Sequence, residues 1–239
     1  MIEIRRTPLD TPADSADAYD EFYATIGIGL RLSFYKWILR LIDPLPGTTL
    51  LDMSCGEAKL ATLAERRGVR AIGVDLSPLP LRSARARGVC AVQGDCERMP
   101  FPDACFDYVA NIGSLEHYLH PQDGMDDMRR VLKPGGLACV MLPNSYGLFG
   151  NMPYVWRNGD VFDDGQPLQR YNTRYGWQRM LERAGFAVER IVPYEREVPT
   201  SLEDAAWLLR RPTKIARVLL GPIMPVNVAN CIVYMCRAA

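Results

Sequence analysis

The stretch Leu50-Leu51-Asp52-Met53-Ser54-Cys55-Gly56-Glu57-Ala58 decides the fold. Its apolar half has the length of a buried strand, and Asp52 lies at the end of that run. The small residues that follow turn the chain into Lys59 to Arg67, which has helical spacing and stops at Gly68. A tight turn of small residues at the mouth of a helix lets backbone N–H groups approach a ligand closely. Asp52 beside it is placed either to meet a cationic group or to cap an ordinary strand-turn-helix.

Outward from this stretch, strand-like runs alternate with helical segments. Val69 to Val74 reads as a strand closed by Asp75, Leu79 to Arg87 as a helix stopped by Gly88, and Val89 to Val92 as a third strand. Phe106 to Ala110 is a fourth strand, Gln122 to Leu132 a helix stopped by Pro134-Gly135-Gly136, and Leu137 to Leu142 a fifth strand. Upstream, Asp14 to Thr25 and Leu30 to Ile42 place Tyr19, Phe22 and Tyr23, then Phe34, Trp37, Ile38 and Leu41, at helical spacing. Pro44-Leu45-Pro46-Gly47 ends the second helix, and residues 1–12 read as an extended arm. Continuous apolar strands separated by helices predict an α/β architecture with a parallel sheet covered on both faces.

In such sheets ligands bind beyond the carboxyl ends of the strands. Asp75 lies there, about 20 residues past the first turn, the place where a carboxylate accepts from both hydroxyls of a ribose. Its other reading is local, since Asp75 or Ser77 can cap the helix that Pro78 opens. Asp95, in Gly94-Asp95-Cys96, follows the third strand and can accept from an exocyclic amine such as that of adenine, or be a solvated loop acid.

Lys plus Arg and Asp plus Glu each total 28 residues in a chain of 239. Without a basic surplus the counterion-release drive of nucleic-acid binders is missing, which argues against a nucleic-acid partner. No stretch reaches the roughly 18 apolar residues of a membrane span. The nearest, Val218 to Cys236, is broken by Gly221, Pro222, Pro225, Asn227 and Asn230. Trp207 to Arg211 and Lys214 to Leu220 are basic and apolar, which fits contact with a membrane surface or, more simply, helices packed on the sheet. The seven cysteines lack C-x-x-C spacing, and the two histidines are His117 and His120. These features predict a cytoplasmic globular protein with reduced thiols, no metal and no stable membrane insertion.

Together these motifs resemble the class I S-adenosylmethionine-dependent methyltransferases, closest to the broad small-molecule and quinone-biosynthesis group. The resemblance runs from about Leu50 to Asn144 through Leu51-Asp52-Met53-Ser54-Cys55-Gly56, Gly73-Val74-Asp75-Leu76-Ser77, Gly94-Asp95 with Pro100-Phe101, and Phe106-Asp107-Tyr108-Val109. It ends on Arg130-Val131-Leu132-Lys133-Pro134-Gly135-Gly136, a specific mark of this group. Leu181 to Phe186 then resembles the junction into a sixth strand, and Asn230 to Met235 the reversed last strand. The resemblance implies a three-layer Rossmann-like sandwich with a mostly parallel seven-stranded sheet, the last strand antiparallel, and a helical lid. Residues 1–46 would be cap helices, and 47–239 the methyltransferase domain with a lid insertion at about 145–175.

Carried over by position, the resemblance implies S-adenosylmethionine as cofactor. Its methionine part would lie on Asp52, Ser54, Cys55 and Gly56, its ribose on Asp75, and its adenine near Leu76, Asp95 and Cys96, with Asn111 near the sulfonium. The family turn has glycine where this chain has Ser54 and Ala58, and a serine there adds a side chain at a position favouring left-handed backbone. Two functions follow. One is methyl transfer to a small-molecule acceptor, with a hydroxyl oxygen the favoured atom. The other is a non-catalytic or non-methylating S-adenosylmethionine-binding protein with a degraded turn.

A hydroxyl acceptor benefits from a base. Glu116 and His117 follow the fourth strand and resemble a Glu-His pair of quinone O-methyltransferases, although Gly113 stands where that group has a further acid. His117 otherwise reads as a histidine packing the next helix. Aromatic residues of the insertion and N-terminal helices, among them Tyr19, Tyr23, Tyr154, Trp156 and Tyr171, are candidates to roof the pocket and select an aromatic or hydroxylated acceptor. Plain packing of the cap accounts for many such aromatics.

Overall fold

The structure is a computed structural model that describes all residues except 26–28, 195–198, 212–214 and 216–217. The chain opens with β1 (Ile2–Arg5), α1 (Pro12–Thr25) and α2 (Leu32–Ile42). The alternating core follows as β2 (Thr49–Met53), α3 (Lys59–Glu65), β3 (Arg70–Asp75), α4 (Pro78–Ala86), β4 (Cys90–Gln93), β5 (Phe106–Ile112), α5 (Pro121–Val131) and β6 (Leu132–Pro143). The insertion holds α6 (Asn151–Asn158) and β7 (Leu168–Tyr171), and the chain closes with α7 (Arg174–Arg183), β8 (Phe186–Pro193), α8 (Leu202–Leu209) and β9 (Cys231–Ala238).

Seven strands form one sheet in the order β4-β3-β2-β5-β6-β9-β8. The pairs from β4 to β6 are parallel, and β9 runs antiparallel to both β6 and β8. The expected three-layer α/β sandwich is therefore present, with the reversed strand between the fifth and sixth sheet strands.

The period of two along each strand builds the two outer layers. Leu51, Val109, Val140 and Tyr234 face one core, shared with Met125 and Met128 of α5 and Trp177 of α7. Leu50, Ala110, Cys139 and Val233 face the other, shared with Phe34, Trp37 and Ile38 of α2 and Leu60 of α3. Fully burying each such large side chain contributes about 1.5–3 kcal/mol. The connections from β2 and β5 leave adjacent strands toward opposite sides of the sheet, and a crevice opens above their carboxyl ends.

Residues 2–5 are not a free arm. β1 pairs antiparallel with β7, Ile2 opposite Tyr171 and Arg5 opposite Leu168, so residues 2–5 back the strand whose Gln169 and Tyr171 line the crevice. The basic, apolar stretch near the end is helical over α8, whereas Lys214 lies outside the described residues. Among the described residues no helix is long and apolar enough to cross a membrane.

Candidate active site

A chamber of about 460 Å³ lies at the carboxyl ends of β2, β3 and β5. The turn after β2 forms its floor. Cys55 N donates to Val74 O at 3.0 Å, and Gly56 N donates to the Asp75 carboxylate at 2.7 Å, so the turn is zipped onto the end of β3. Gly73 makes this approach possible, because a Cβ there would sit 2.6 Å from Cys55 Sγ.

Ser54 and Ala58 keep the backbone geometry for which glycine is usually chosen. Their φ angles are 52° and 54°, both left-handed. Ser54 holds this conformation despite its side chain, and Ala58 stands as the left-handed N-cap of α3, directly before the helix that begins at Lys59 as expected. Left-handed backbone costs roughly 1–2 kcal/mol at each such residue. It persists because surrounding contacts over-determine it. Ala58 N donates to Cys55 O at 2.8 Å, and Ser54 Oγ is hydrogen-bonded to Tyr118 Oη at 2.8 Å.

Asp75 is buried, and burial pushes its carboxyl up to about 6. Its two oxygens accept from Gly56 N and from Ser77 N at 2.9 Å. Each oxygen retains acceptor capacity, and the residue lines the chamber. Asp95 also lines it, with one oxygen accepting from Glu97 N at 2.8 Å. Ser54, Cys55, Gly56, Leu76 and Cys96 complete this end. Ser77, whose backbone is the N-cap of α4, turns its hydroxyl to Asp20 of α1 instead of capping the helix.

Two residues expected at the cofactor lie behind the wall. Asp52 is buried and does not line the chamber. Its carboxylate accepts from Ala61 N at 3.1 Å, and burial pushes it up to about 8. Asn111 is fully buried, with Oδ1 accepting from Ser114 Oγ (2.9 Å) and Leu115 N (3.2 Å) while Nδ2 donates to Tyr118 Oη (2.8 Å). It thus organises the turn after β5 from beneath and does not itself floor the chamber.

That turn, Leu115–His117, contributes Glu116 and His117 to the chamber lining. His117 lines the chamber with its side chain 9% exposed, and its Nδ1 lies 2.5 Å from Leu168 O of β7. A carbonyl only accepts, so Nδ1 carries the hydrogen and Nε2 the lone pair. Burial pushes the imidazole down from its ordinary value, so the ring is neutral at pH 7. Glu116 Oε1 lies 3.8 Å from His117 Nε2. Burial, with Asp164 adding to it, pushes the Glu116 carboxyl up to about 8.

Arg170 of β7 fixes this turn to the insertion. It is 3% exposed, donates to the carbonyls of Glu116, Tyr118 and Leu119, and pairs with Glu3 of β1 at 2.8 Å. Gly124 of α5 seats the Tyr118 ring, since a Cβ there would lie 2.5 Å from it. Tyr19 packs edge-on against His117, with ring centroids 6.1 Å apart. Tyr19, Tyr23 and Tyr171 wall the chamber as expected of them, but Tyr154 and Trp156 do not. Tyr154 packs on Phe162, and Trp156 is 91% exposed because the apolar side of α6 with Met152 and Val155 faces outward. Sequence reasoning missed Ser15 and Gln169, both buried in the wall, because each sits in an otherwise ordinary polar stretch.

Three comparisons bear on this geometry. The Methyltransferase domain family matches residues 51–140. An uncharacterized methyltransferase of Synechocystis sp. is 32% identical over 173 residues, covering 70% of this chain and 80% of that protein. The malonyl-[acyl-carrier protein] O-methyltransferase of Herminiimonas arsenicoxydans is 39% identical over 101 residues, 41% of this chain and 38% of that protein. This chain thus matches well under half of the latter's length. Among solved structures, a SAM-dependent methyltransferase of Thermotoga maritima, described as a possible histamine N-methyltransferase, superposes with a TM-score of 0.62 at 20% identity. That match covers 93% of this chain and 95% of the other.

The chain belongs to the S-adenosylmethionine-dependent methyltransferases, in the class I fold. The chamber fits their cofactor on its own terms. It has the size of a small-molecule site, a backbone cradle at Gly56, and a buried acid at Asp75 with acceptor capacity to spare.

Proposed function

We propose that this protein transfers a methyl group from S-adenosylmethionine to a small molecule, with a hydroxyl oxygen as acceptor and His117 as the base. The observation that carries the reading is the Nδ1 contact of His117 with Leu168 O. It leaves Nε2 as the basic nitrogen of a neutral, buried ring that lines the chamber.

S-adenosylmethionine supplies a methyl group on a sulfonium, which departs as a neutral thioether. Asp75 holds the ribose, Leu76, Asp95 and Cys96 surround the adenine, and Ser54, Cys55 and Gly56 carry the methionine part. Nε2 of His117 takes the proton that the hydroxyl gives up as its oxygen bonds to carbon. Tyr19, Tyr23 and Tyr171 exclude water and hold the acceptor close, which supplies most of what in-line transfer needs. The N-terminal segment 1–46 and the 145–175 insertion act as the cap. The seven cysteines, without C-x-x-C spacing, suit a reduced, cytoplasmic setting.

Calorimetric titration with S-adenosylmethionine and S-adenosylhomocysteine tests the reading first. Micromolar binding that Asp75→Ala abolishes supports it, and transfer of labelled methyl to hydroxylated acceptors completes it. Binding of neither compound overturns it.

A further inference from the structure

The chamber wall near His117 holds two acids, Glu116 and Asp164, that among the described residues pair with no cation of the protein. Glu116 is 5% exposed, and its Oε2 has no hydrogen-bond partner. Asp164 lines the same chamber, close enough for its charge to act on Glu116, Tyr19 and Tyr171. The Asp164 oxygens accept from Gln166 N at 3.0 Å and Gln166 Nε2 at 2.7 Å. With its amide nitrogen toward the acid, Gln169 donates to Asp164 at 2.5 and 2.8 Å and accepts from Tyr171 Oη at 3.0 Å. All of these partners are neutral.

The available cations are committed elsewhere: Arg6, which feels the Asp164 charge, pairs with Asp163 at 2.8 Å. Among the described residues that line the chamber, Lys59 is the single Lys or Arg, and it pairs with Glu57 at 3.2 Å beside the cofactor turn. Arg170 lies behind the wall and is held by Glu3 and three carbonyls.

A buried carboxylate without a cation is strongly disfavoured and takes a proton instead. A ligand that brings the cation removes that conflict. The rings of Tyr19, Phe162 and Tyr171 line the same end, and aromatic faces attract cations. An anionic ligand group would instead meet two acids.

Resting on the methyl-transfer reading above and deepening it, we propose that the acceptor is an amino alcohol. Its hydroxyl faces His117, and its protonated amine sits between Glu116 and Asp164 among the rings of Tyr19, Phe162 and Tyr171. With His117 Nε2 and Glu116 Oε1 only 3.8 Å apart, a hydroxyl and an amine on neighbouring carbons of one small molecule reach both.

The test is calorimetry on the full chain saturated with S-adenosylhomocysteine, using three probes of one shape. They are trans-2-aminocyclohexanol, trans-1,2-cyclohexanediol and trans-2-hydroxycyclohexanecarboxylate, respectively cationic, neutral and anionic at neutral pH. The amine is expected to bind at least about tenfold more tightly than the diol, as a charge-assisted contact requires, and the carboxylate not at all. Glu116→Gln and Asp164→Asn, each first shown to bind S-adenosylhomocysteine, should bring the amine down toward the diol.

Equal binding of amine and diol, tightest binding of the carboxylate, or no amine binding at millimolar concentration overturns the proposal. So does an amine preference that survives both substitutions. If Glu116→Gln weakens S-adenosylmethionine but not S-adenosylhomocysteine, the acid serves the sulfonium and the proposal also falls. Failure of wild-type protein to bind S-adenosylhomocysteine strikes the methyl-transfer reading instead, so the two failures are distinguishable.

Discussion

The side-chain hydroxyls of Ser54 and Tyr118 meet at 2.8 Å, tying the turn after β2 to the turn after β5. Tyr118 Oη also accepts from Asn111 Nδ2 at 2.8 Å, and Ser54 Oγ donates to Cys96 Sγ at 3.7 Å. The directions that satisfy every donor run from Asn111 through Tyr118 and Ser54 to Cys96. The residue that departs from the family glycine is therefore a link between the two ends of the chamber.

Replacing Tyr118 by Phe should break that chain and leave the Asn111 amide buried without its acceptor. A loss of about 1–3 kcal/mol in unfolding free energy is expected, measured by urea denaturation. A variant as stable as wild type would show that the network contributes nothing to the fold.

Ala58→Gly should be nearly neutral despite the complete burial of Ala58. Relief of left-handed strain, about 1–2 kcal/mol, offsets roughly 0.5–1 kcal/mol of glycine entropy and about 0.8 kcal/mol for the lost methyl. Ala61→Gly, equally buried but within α3, has no strain to relieve and should cost about 1–2 kcal/mol. Equal losses in the two variants, read as melting temperatures, would contradict the strain at position 58.

Stability should fall with rising pH through two acids. Burial raises Asp52 from 3.8 and Glu116 from 4.5, each to about 8. Asp52 has the Ala61 N–H and Asp75 as neighbours, and Glu116 has its own N–H and Asp164. Because the folded values are raised, their contribution is fully present below the ordinary carboxylate range and is lost as pH rises toward 8. Asp52→Asn and Glu116→Gln should each flatten the decline in urea-measured stability across this window. A slope unchanged in both would mean that neither acid is held protonated.

His117→Ala should reduce methyl transfer about 10²–10⁴-fold while the dissociation constant for S-adenosylmethionine stays within about twofold, since His117 is proposed as the base and not as a cofactor contact. Full turnover in this variant would remove His117 as the base.

Deleting residues 1–6 removes β1, and with it the Glu3 partner of Arg170. Transfer should suffer more than cofactor binding, because Arg170 holds the turn of Glu116 and His117 whereas Asp75 is held by β3. Parallel titrations and turnover assays would check this, and an equal loss of both would point to general unfolding.

The sequence by itself determined the layered α/β order, because apolar runs, helical spacing and Gly or Pro stops are local signals. It also located the acid that ends β3, the acid that follows β4, and the Glu116–His117 pair after β5. Tertiary structure alone decided that residues 2–5 pair with 168–171 and that His117 Nδ1 meets the carbonyl of Leu168. It also decided that Asp52 and Asn111 lie behind the wall, that Trp156 faces solvent, and that Glu116 Oε2 is unpaired. The physical reason is range. A strand or a turn is announced by the residues that form it, whereas a hydrogen bond, a burial or a missing partner depends on groups that only the fold brings within a few ångströms.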